Sequence, residues 1–176
     1  MSKICKIKDI LIGDGIPKVC VSVVSDNHQA IITDIIRLMD YDIDIIELRI
    51  DYFKELLNQQ KLKELFKMIA TLEMKQALIL TYRSVKEGGL GELSHEEYIN
   101  LYKIALESGA FDIYDVELSS GTNAIITLNN MIHEANRKVI MSSHDFTRTP
   151  SLDTMLEKIK QMDSLEADII KLAVMR

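Results

Sequence analysis

The chain has 176 residues, 47% of them hydrophobic, with a formal net charge of −6 and an isoelectric point near 5.2. That length and apolar content suffice for a single domain spanning 1–176 with a sizeable core. The acidic balance, without a basic stripe or Lys/Arg cluster, excludes a general nucleic-acid or anionic-membrane binder, so an anionic ligand would need locally placed arginines.

No apolar run reaches the roughly 18–20 residues of a membrane span, and the N-terminus Met-Ser-Lys-Ile-Cys-Lys-Ile-Lys carries no secretory apolar region. A cytoplasmic protein is expected. Cys5 and Cys20 are the only cysteines, too few for a disulfide framework, and Cys20 lies in a strand-like run where a buried thiol is expected.

In chain order, residues 4–8 and the Gly13-Asp14-Gly15 turn suggest a short hairpin. Apolar, often β-branched runs then begin near Val19, Ile45, Ala77, Phe111, Val139 and Ile169. Their spacing of about 30 residues is the size of one strand-plus-helix unit. Between them, the quartets Ile32/Ile35/Ile36/Met39, Leu62/Leu65/Phe66/Ile69, Tyr98/Leu101/Tyr102/Ala105, Leu128/Met131/Ile132/Ala135 and Leu152/Met155/Leu156/Ile159 follow the i, i+3, i+4, i+7 rule for one buried helix face. Ser94-His95-Glu96-Glu97 fits a capping box, and Thr149-Pro150-Ser151 marks a turn into a helix.

Such alternation implies right-handed crossovers and a parallel sheet covered by helices. An open doubly wound sheet and a closed (β/α)8 barrel both satisfy it. The first strand-to-helix loops lack a Gly-x-Gly-x-x-Gly or Walker-type phosphate loop, which weakens the open nucleotide-binding sheet. The strands instead carry polar residues two apart at their C-terminal ends: Ser22, Glu47 with Arg49, Thr81 with Arg83, Asp115 with Glu117, Ser142 with His144, then Lys171. Period two places each pair on one face and Leu48, Tyr82, Val116 and Ser143 on the other. In a barrel the polar faces converge at the top rim, where barrel enzymes place their chemistry. For a single strand such residues would merely meet solvent; six strands together favour a site.

Lys171 sits in the apolar run from Asp168 to Met175. A lysine there must be paired, snorkel or be neutral, and a neutral lysine is a nucleophile for carbonyl carbon. His144 ends a strand facing the same rim, with a side chain suited to proton transfer near neutrality. Glu87, beside Gly88-Gly89, is placed to orient or polarise it. Arg49 and Arg83 suit hydroxyl or carboxylate recognition, or else pair with Glu47, Asp51 or Asp115; their charge is also expected to favour the free amine of Lys171. His28, His95 and His133 lack metal-ligand spacing, so no metal is expected.

Glu47-Leu48-Arg49-Ile50-Asp51, Thr81-Tyr82-Arg83-Ser84-Val85-Lys86-Glu87-Gly88-Gly89, Asp115-Val116-Glu117-Leu118, the stretch from Ser142 to Pro150 and the stretch from Ala167 to Met175 resemble, in order, type I 3-dehydroquinate dehydratase. The opening from Ile16 to Ser22 is similar too. The resemblance implies a cofactor-free lyase of the shikimate pathway of aromatic amino acid biosynthesis. By it, Lys171 would form an imine with 3-dehydroquinate, His144 would act as general base and acid supported by Glu87, and Ser22, Glu47, Arg49 and Arg83 would hold the substrate. The product would be 3-dehydroshikimate. A homo-oligomer, as a dimer, is expected.

A complete barrel of this type takes eight units and about 250 residues. This sequence supplies five full units and a sixth strand, so a partial (β/α)8 TIM barrel preceded by a hairpin is expected, with open sheet edges through which the chain associates. The resemblance also places a carboxylate-binding arginine and a closing loop in a later part without a counterpart here, and Ile170 stands where a proline is common. Two further readings remain: a shortened homologue acting as a binding or assembly protein, and another lysine-dependent barrel lyase such as a class I aldolase, against which the Glu47-x-Arg49-x-Asp51 fragment and the His144 loop argue.

Overall fold

The computed structural model describes residues 4–175; residues 1–3, the start of the N-terminal stretch expected to carry no secretory apolar region, and residue 176 lie outside the described residues. A two-stranded antiparallel hairpin, β1 (Cys5–Ile7) and β2 (Ile10–Ile12), precedes six parallel strands: β3 (Cys20–Val23), β4 (Ile45–Arg49), β5 (Ala77–Thr81), β6 (Ile113–Glu117), β7 (Lys138–Asp145) and β8 (Ile169–Val174). The spatial order β3-β4-β5-β6-β7-β8 repeats the chain order, so each strand is laid beside the one before it. Helices α1 (His28–Met39), α2 (Gln59–Ala70), α3 (His95–Ser108), α4 (Thr122–Glu134) and α5 (Leu152–Ser164) form the crossovers. The result is a curled six-stranded sheet with helices on its outer face. Among the described residues, no helix is long and apolar enough to cross a membrane.

The hairpin turns at Lys8-Asp9, with Lys8 at φ 51°, and not at Gly13-Asp14-Gly15, which follows β2. A two-residue connection between paired strands requires positive φ at its centre, and Lys8 accepts that strain while its ammonium bonds the Gln76 carbonyl at 2.6 Å. Cys20 is exposed, contrary to the buried thiol expected of it, because β3 is an edge strand whose inner face looks onto the open side of the sheet. Cys5, by contrast, is buried.

Two apolar layers hold the sheet. Outside it, Leu48, Leu80, Tyr82, Val116 and Met141 pack against Ile35, Leu65, Phe66, Tyr102 and Leu128 from the helices. Inside it, Ile45, Ile79, Ile113 and Ile140 meet Cys5 and Ile7, so the hairpin plugs the N-terminal end of the curl. Above this floor the next inward residues, two along each strand, are polar. Burying one such aliphatic side chain contributes about 1.5–3 kcal/mol, so the floor fixes the height at which the polar layer begins.

Helix α2 buries Leu62, Leu65, Phe66 and Ile69, and α3 buries Tyr98, Leu101, Tyr102 and Ala105 behind the Ser94–Glu97 capping box, as their periodicity predicts. Helix α1 is rotated from its predicted face: Ile31 is buried and Ile36 exposed. Helix α4 buries Ala124 and Ile125 ahead of Leu128 and Ile132, while Ala135 falls at its exposed C-cap. Helix α5 departs most, since only Met162 is buried while Leu152 is 66% and Leu156 42% exposed. Its stripe lies beside β8, an edge strand, so no helix of a following unit covers it.

Open edges at β3 and β8 offer unpaired backbone groups beside exposed apolar residues, the arrangement that templates strand addition. In sedimentation velocity, this 176-residue chain is expected to self-associate with rising concentration. A strictly monomeric boundary over a hundredfold concentration range would contradict that.

Candidate functional site

Six strands aim their C-terminal polar residues into the concave face, and the register places them beside one another. Ser22 pairs with Glu47, Thr81 with both Arg49 and Asp115, Glu117 with Ser142, and Ser142 with Lys171. His144 lies two residues beyond Ser142 on the same face, so it stands roughly 7 Å further along the sheet than Lys171. The intervening Leu48, Tyr82 and Val116 face the helices as predicted, and Ser143 accepts a bond from Lys158 of α5.

Lys171 is the half-exposed member of this layer, with its side chain 42% accessible. Its Nζ lies 3.8 Å from Glu47 Oε1 and 3.9 Å from Asp115 Oδ2. Glu47 is held by Thr81 Oγ1, which donates to Oε1 at 2.8 Å, and by the Ser22 hydroxyl, which donates to Oε2. Burial alone would raise the Glu47 carboxyl, but the Ser22 bond, the Lys171 charge and the Thr81 bond outweigh it and hold the group below the usual carboxylate range. A cavity of about 400 Å³ runs beneath the amine, lined by Cys20, Ile45, Glu47, Ile79, Asp115 and Ile140, with the Gly13–Lys18 segment at its wall. A second, of about 350 Å³, opens on the other side of Glu117 near Ser84 and Ser119, away from Lys171.

His144 is fixed by Glu87. Glu87 Oε2 accepts from the His144 backbone N–H at 3.1 Å and contacts Nδ1 at 2.8 Å. With Nδ1–H directed at a carboxylate, the neutral imidazole keeps Nε2 as its basic nitrogen, and Phe146 stacks on the ring with centroids 5.9 Å apart. Burial works to raise the Glu87 carboxyl; the His144 and Ser119 hydrogen bonds, then the charges of His144 and Arg83, overcome it and lower it. The paired glycines make this placement possible. Gly88 has φ 81°, and a Cβ there would meet Phe146 at 2.6 Å, while a Cβ on Gly89 would meet the Arg83 carbonyl oxygen at 2.1 Å.

The two arginines take the pairings open to them in the sequence. Arg49 binds Asp51 in a fork, Nε to Oδ1 at 2.8 Å and Nη2 to Oδ2 at 2.9 Å. Arg83, only 4% exposed, donates through Nη1 to Glu117 Oε1 at 3.0 Å and Ser142 Oγ at 2.8 Å, and through Nη2 to Asp115 Oδ2 at 2.8 Å. Both guanidinium charges are thus matched by carboxylates, and the charges nearest Nζ are anions. The expected arginine pressure toward a free amine is not what surrounds Lys171. Glu117 carries the electrostatic cost: burial raises its carboxyl, and the neighbouring Glu87 charge adds to that against bonds from Ser84 and the charge of Arg83.

Lys171, His144, Glu87, Glu47, Ser22, Arg49 and Arg83 therefore all meet on one face. In the sequence Asp115 stands only as a possible arginine partner, Glu117 and Ser142 are strand-end polars without a role, and Ser119 carries no signal. Their two-residue spacing on adjacent strands was the available signal; which strand lies next to which supplied the contacts.

Glu87 yields a pH signature. A carboxyl lowered on folding contributes stability that is fully present above its unfolded value near 4.3 and is lost as pH falls through the lower folded value. Urea midpoints are expected to fall below about pH 4.5 in the wild type and to fall less steeply in E87Q. Parallel acid limbs in the two proteins would show that Glu87 carries none of that dependence.

Residues 19–176 match the family model described as type I 3-dehydroquinase. The 3-dehydroquinate dehydratase of Clostridium kluyveri is 39% identical over 176 residues, which is 99% of this chain and 69% of the relative. That of Clostridium novyi is 36% identical over 173 residues, or 98% of this chain and 68% of the relative. The crystal structure of type I 3-dehydroquinate dehydratase from Clostridium difficile, with covalently modified comenic acid, superposes with a TM-score of 0.95 at 36% identity, covering 99% of this chain and 68% of that one.

Proposed function

This chain belongs to the type I 3-dehydroquinase family, and from that premise we propose that it is a lyase which dehydrates 3-dehydroquinate to 3-dehydroshikimate through an imine at Lys171. The observation that carries this reading is the convergence, on one concave face, of a half-exposed lysine and a histidine whose Nδ1 is engaged by Glu87.

Lys171 Nζ attacks the ring ketone, and loss of that oxygen as water leaves a protonated imine. The iminium is an electron sink, so the adjacent carbon gives up a proton to His144 Nε2. The electron pair of that C–H bond moves into the ring as the β-hydroxyl departs, taking the proton from the imidazolium to leave as water. Addition of water to the remaining imine returns the amine and releases the conjugated ketone. Glu87 keeps the imidazole in the required tautomer and steadies its cation. Glu47 and Arg49, lying toward the open face, hold the substrate's hydroxyl groups with Ser22, while Arg83 acts through the carboxylates it orders. No cofactor enters the sequence. The covalent ligand of the C. difficile relative supports a nucleophilic site of this kind.

The fold reading extends in the same way. Nearly a third of each relative lies outside the matched region, room for two more units of about 30 residues. Two such units between β8 and β3 would close the curl into a (β/α)8 barrel and cover the stripe on α5. Cytoplasmic location and a homodimer fit a small-molecule enzyme of this class. The aldolase reading has no feature here in its favour.

Turnover is followed by the absorbance of the conjugated product. K171A is expected to abolish it, and H144A to lower kcat by about 10²–10⁴-fold. Wild-type turnover that survives K171A would overturn the lysine mechanism. A chain that binds 3-dehydroquinate without turnover would instead support the assembly-protein reading.

A further inference from the structure

Asp115 is the most enclosed acid beside Lys171, at 1% exposure, and the proposed reaction leaves it without a task. Its Oδ1 accepts from Ser142 Oγ at 2.6 Å, its Oδ2 from Arg83 Nη2 at 2.8 Å, and Oδ2 stands 3.9 Å from Lys171 Nζ. The Tyr102 hydroxyl bonds its carbonyl, fixing the strand end from the helix side. A role solely as counter-ion to Arg83 does not account for it, because Arg83 already has Glu117 at 3.0 Å and Glu87 at 3.5 Å. Four carboxylates, Glu47, Asp115, Glu117 and Glu87, surround this layer, while Arg83 and Lys171 are its fixed cations and His144 faces Glu87. Arg49 is matched by Asp51. Asp115 Oδ2 therefore stands between two cations, Arg83 on one side and Lys171 on the other.

We propose that Asp115, steered by Ser142, is a positioning residue that holds the Lys171 nitrogen from below and serves as counter-ion to its cationic forms. It faces the resting amine at 3.9 Å and, on the lyase reading on which this part rests, the iminium after attack. No bond to Asp115 forms or breaks. The ketone carbon approaches from the mouth, opposite the carboxylate, so the charge is stabilised from the side the substrate does not occupy.

The test uses this chain with D115N, D115A and the charge-keeping D115E. Lys171 is pulse-labelled at pH 7.5 with an amine-acylating reagent and read by peptide mass, while a thiol reagent reports on buried Cys5 as a marker of folding. D115N is expected to raise the Lys171 labelling rate at least threefold with Cys5 still protected, because the amine loses its carboxylate partner; D115E is expected to stay within twofold of wild type. Where D115N exposes Cys5, D115A, small enough to admit a water to Arg83, is read in the same way. On 3-dehydroquinate, kcat is expected to fall at least tenfold with KM within threefold. Unchanged Lys171 labelling in a folded, charge-removed variant overturns the inference, as does a loss confined to KM. Labelling that rises in a chain whose wild type never turns over 3-dehydroquinate would sustain the counter-ion role and remove the lyase reading instead.

Discussion

The buried guanidinium of Arg83 is the constraint on which the rest of the site depends. It leaves the end of β5, reaches Asp115 and Glu117 of β6 and Ser142 of β7, and lies 3.5 Å from Glu87 in the loop that follows it. An unpaired charge at that depth would be strongly destabilising, so these groups must be present together. The same bonds set the relative heights of three strands at the mouth. Through Asp115 the network reaches Lys171, and through Glu87 it reaches His144, so the lysine and the histidine share one rigid reference.

That arrangement changes the view of how the lysine is activated. Cationic pressure from Arg49 and Arg83 was the simplest expectation, yet each is consumed by its own carboxylates, and anions lie nearest Nζ. On the proposed reaction, carboxylates in that place would stabilise an iminium, so activation would reside in holding the intermediate more than in stripping the resting amine.

Much of this was legible in the sequence. The six strand starts, the two-residue spacing at their ends and the capping box on α3 all reappear, because they rest on local periodicity and capping chemistry. Burial was legible only where both neighbours exist: α2 and α3, in the middle of the layer, follow their stripes, whereas α5 shows the same pattern and leaves Leu152 and Leu156 exposed. The error on α1, with Ile31 in place of Ile36, is a rotation that an apolar stripe broader than one face cannot resolve. The Gly13-Asp14-Gly15 turn also has positive φ at both glycines but follows β2; the hairpin itself turns at Lys8, a residue type without a turn signature. Asp115 and Ser142 stood in view as strand-end polars, but their partnership across β6 and β7 follows from register, which is a tertiary fact.

The central claim is that Lys171 is the covalent centre of this concave face. The most direct measurement is borohydride reduction in the presence of 3-dehydroquinate followed by peptide mapping. The account requires one mass increment, on the peptide bearing Lys171, that disappears when reductant or substrate is omitted. An increment on another lysine, or none at all while turnover proceeds, would contradict it.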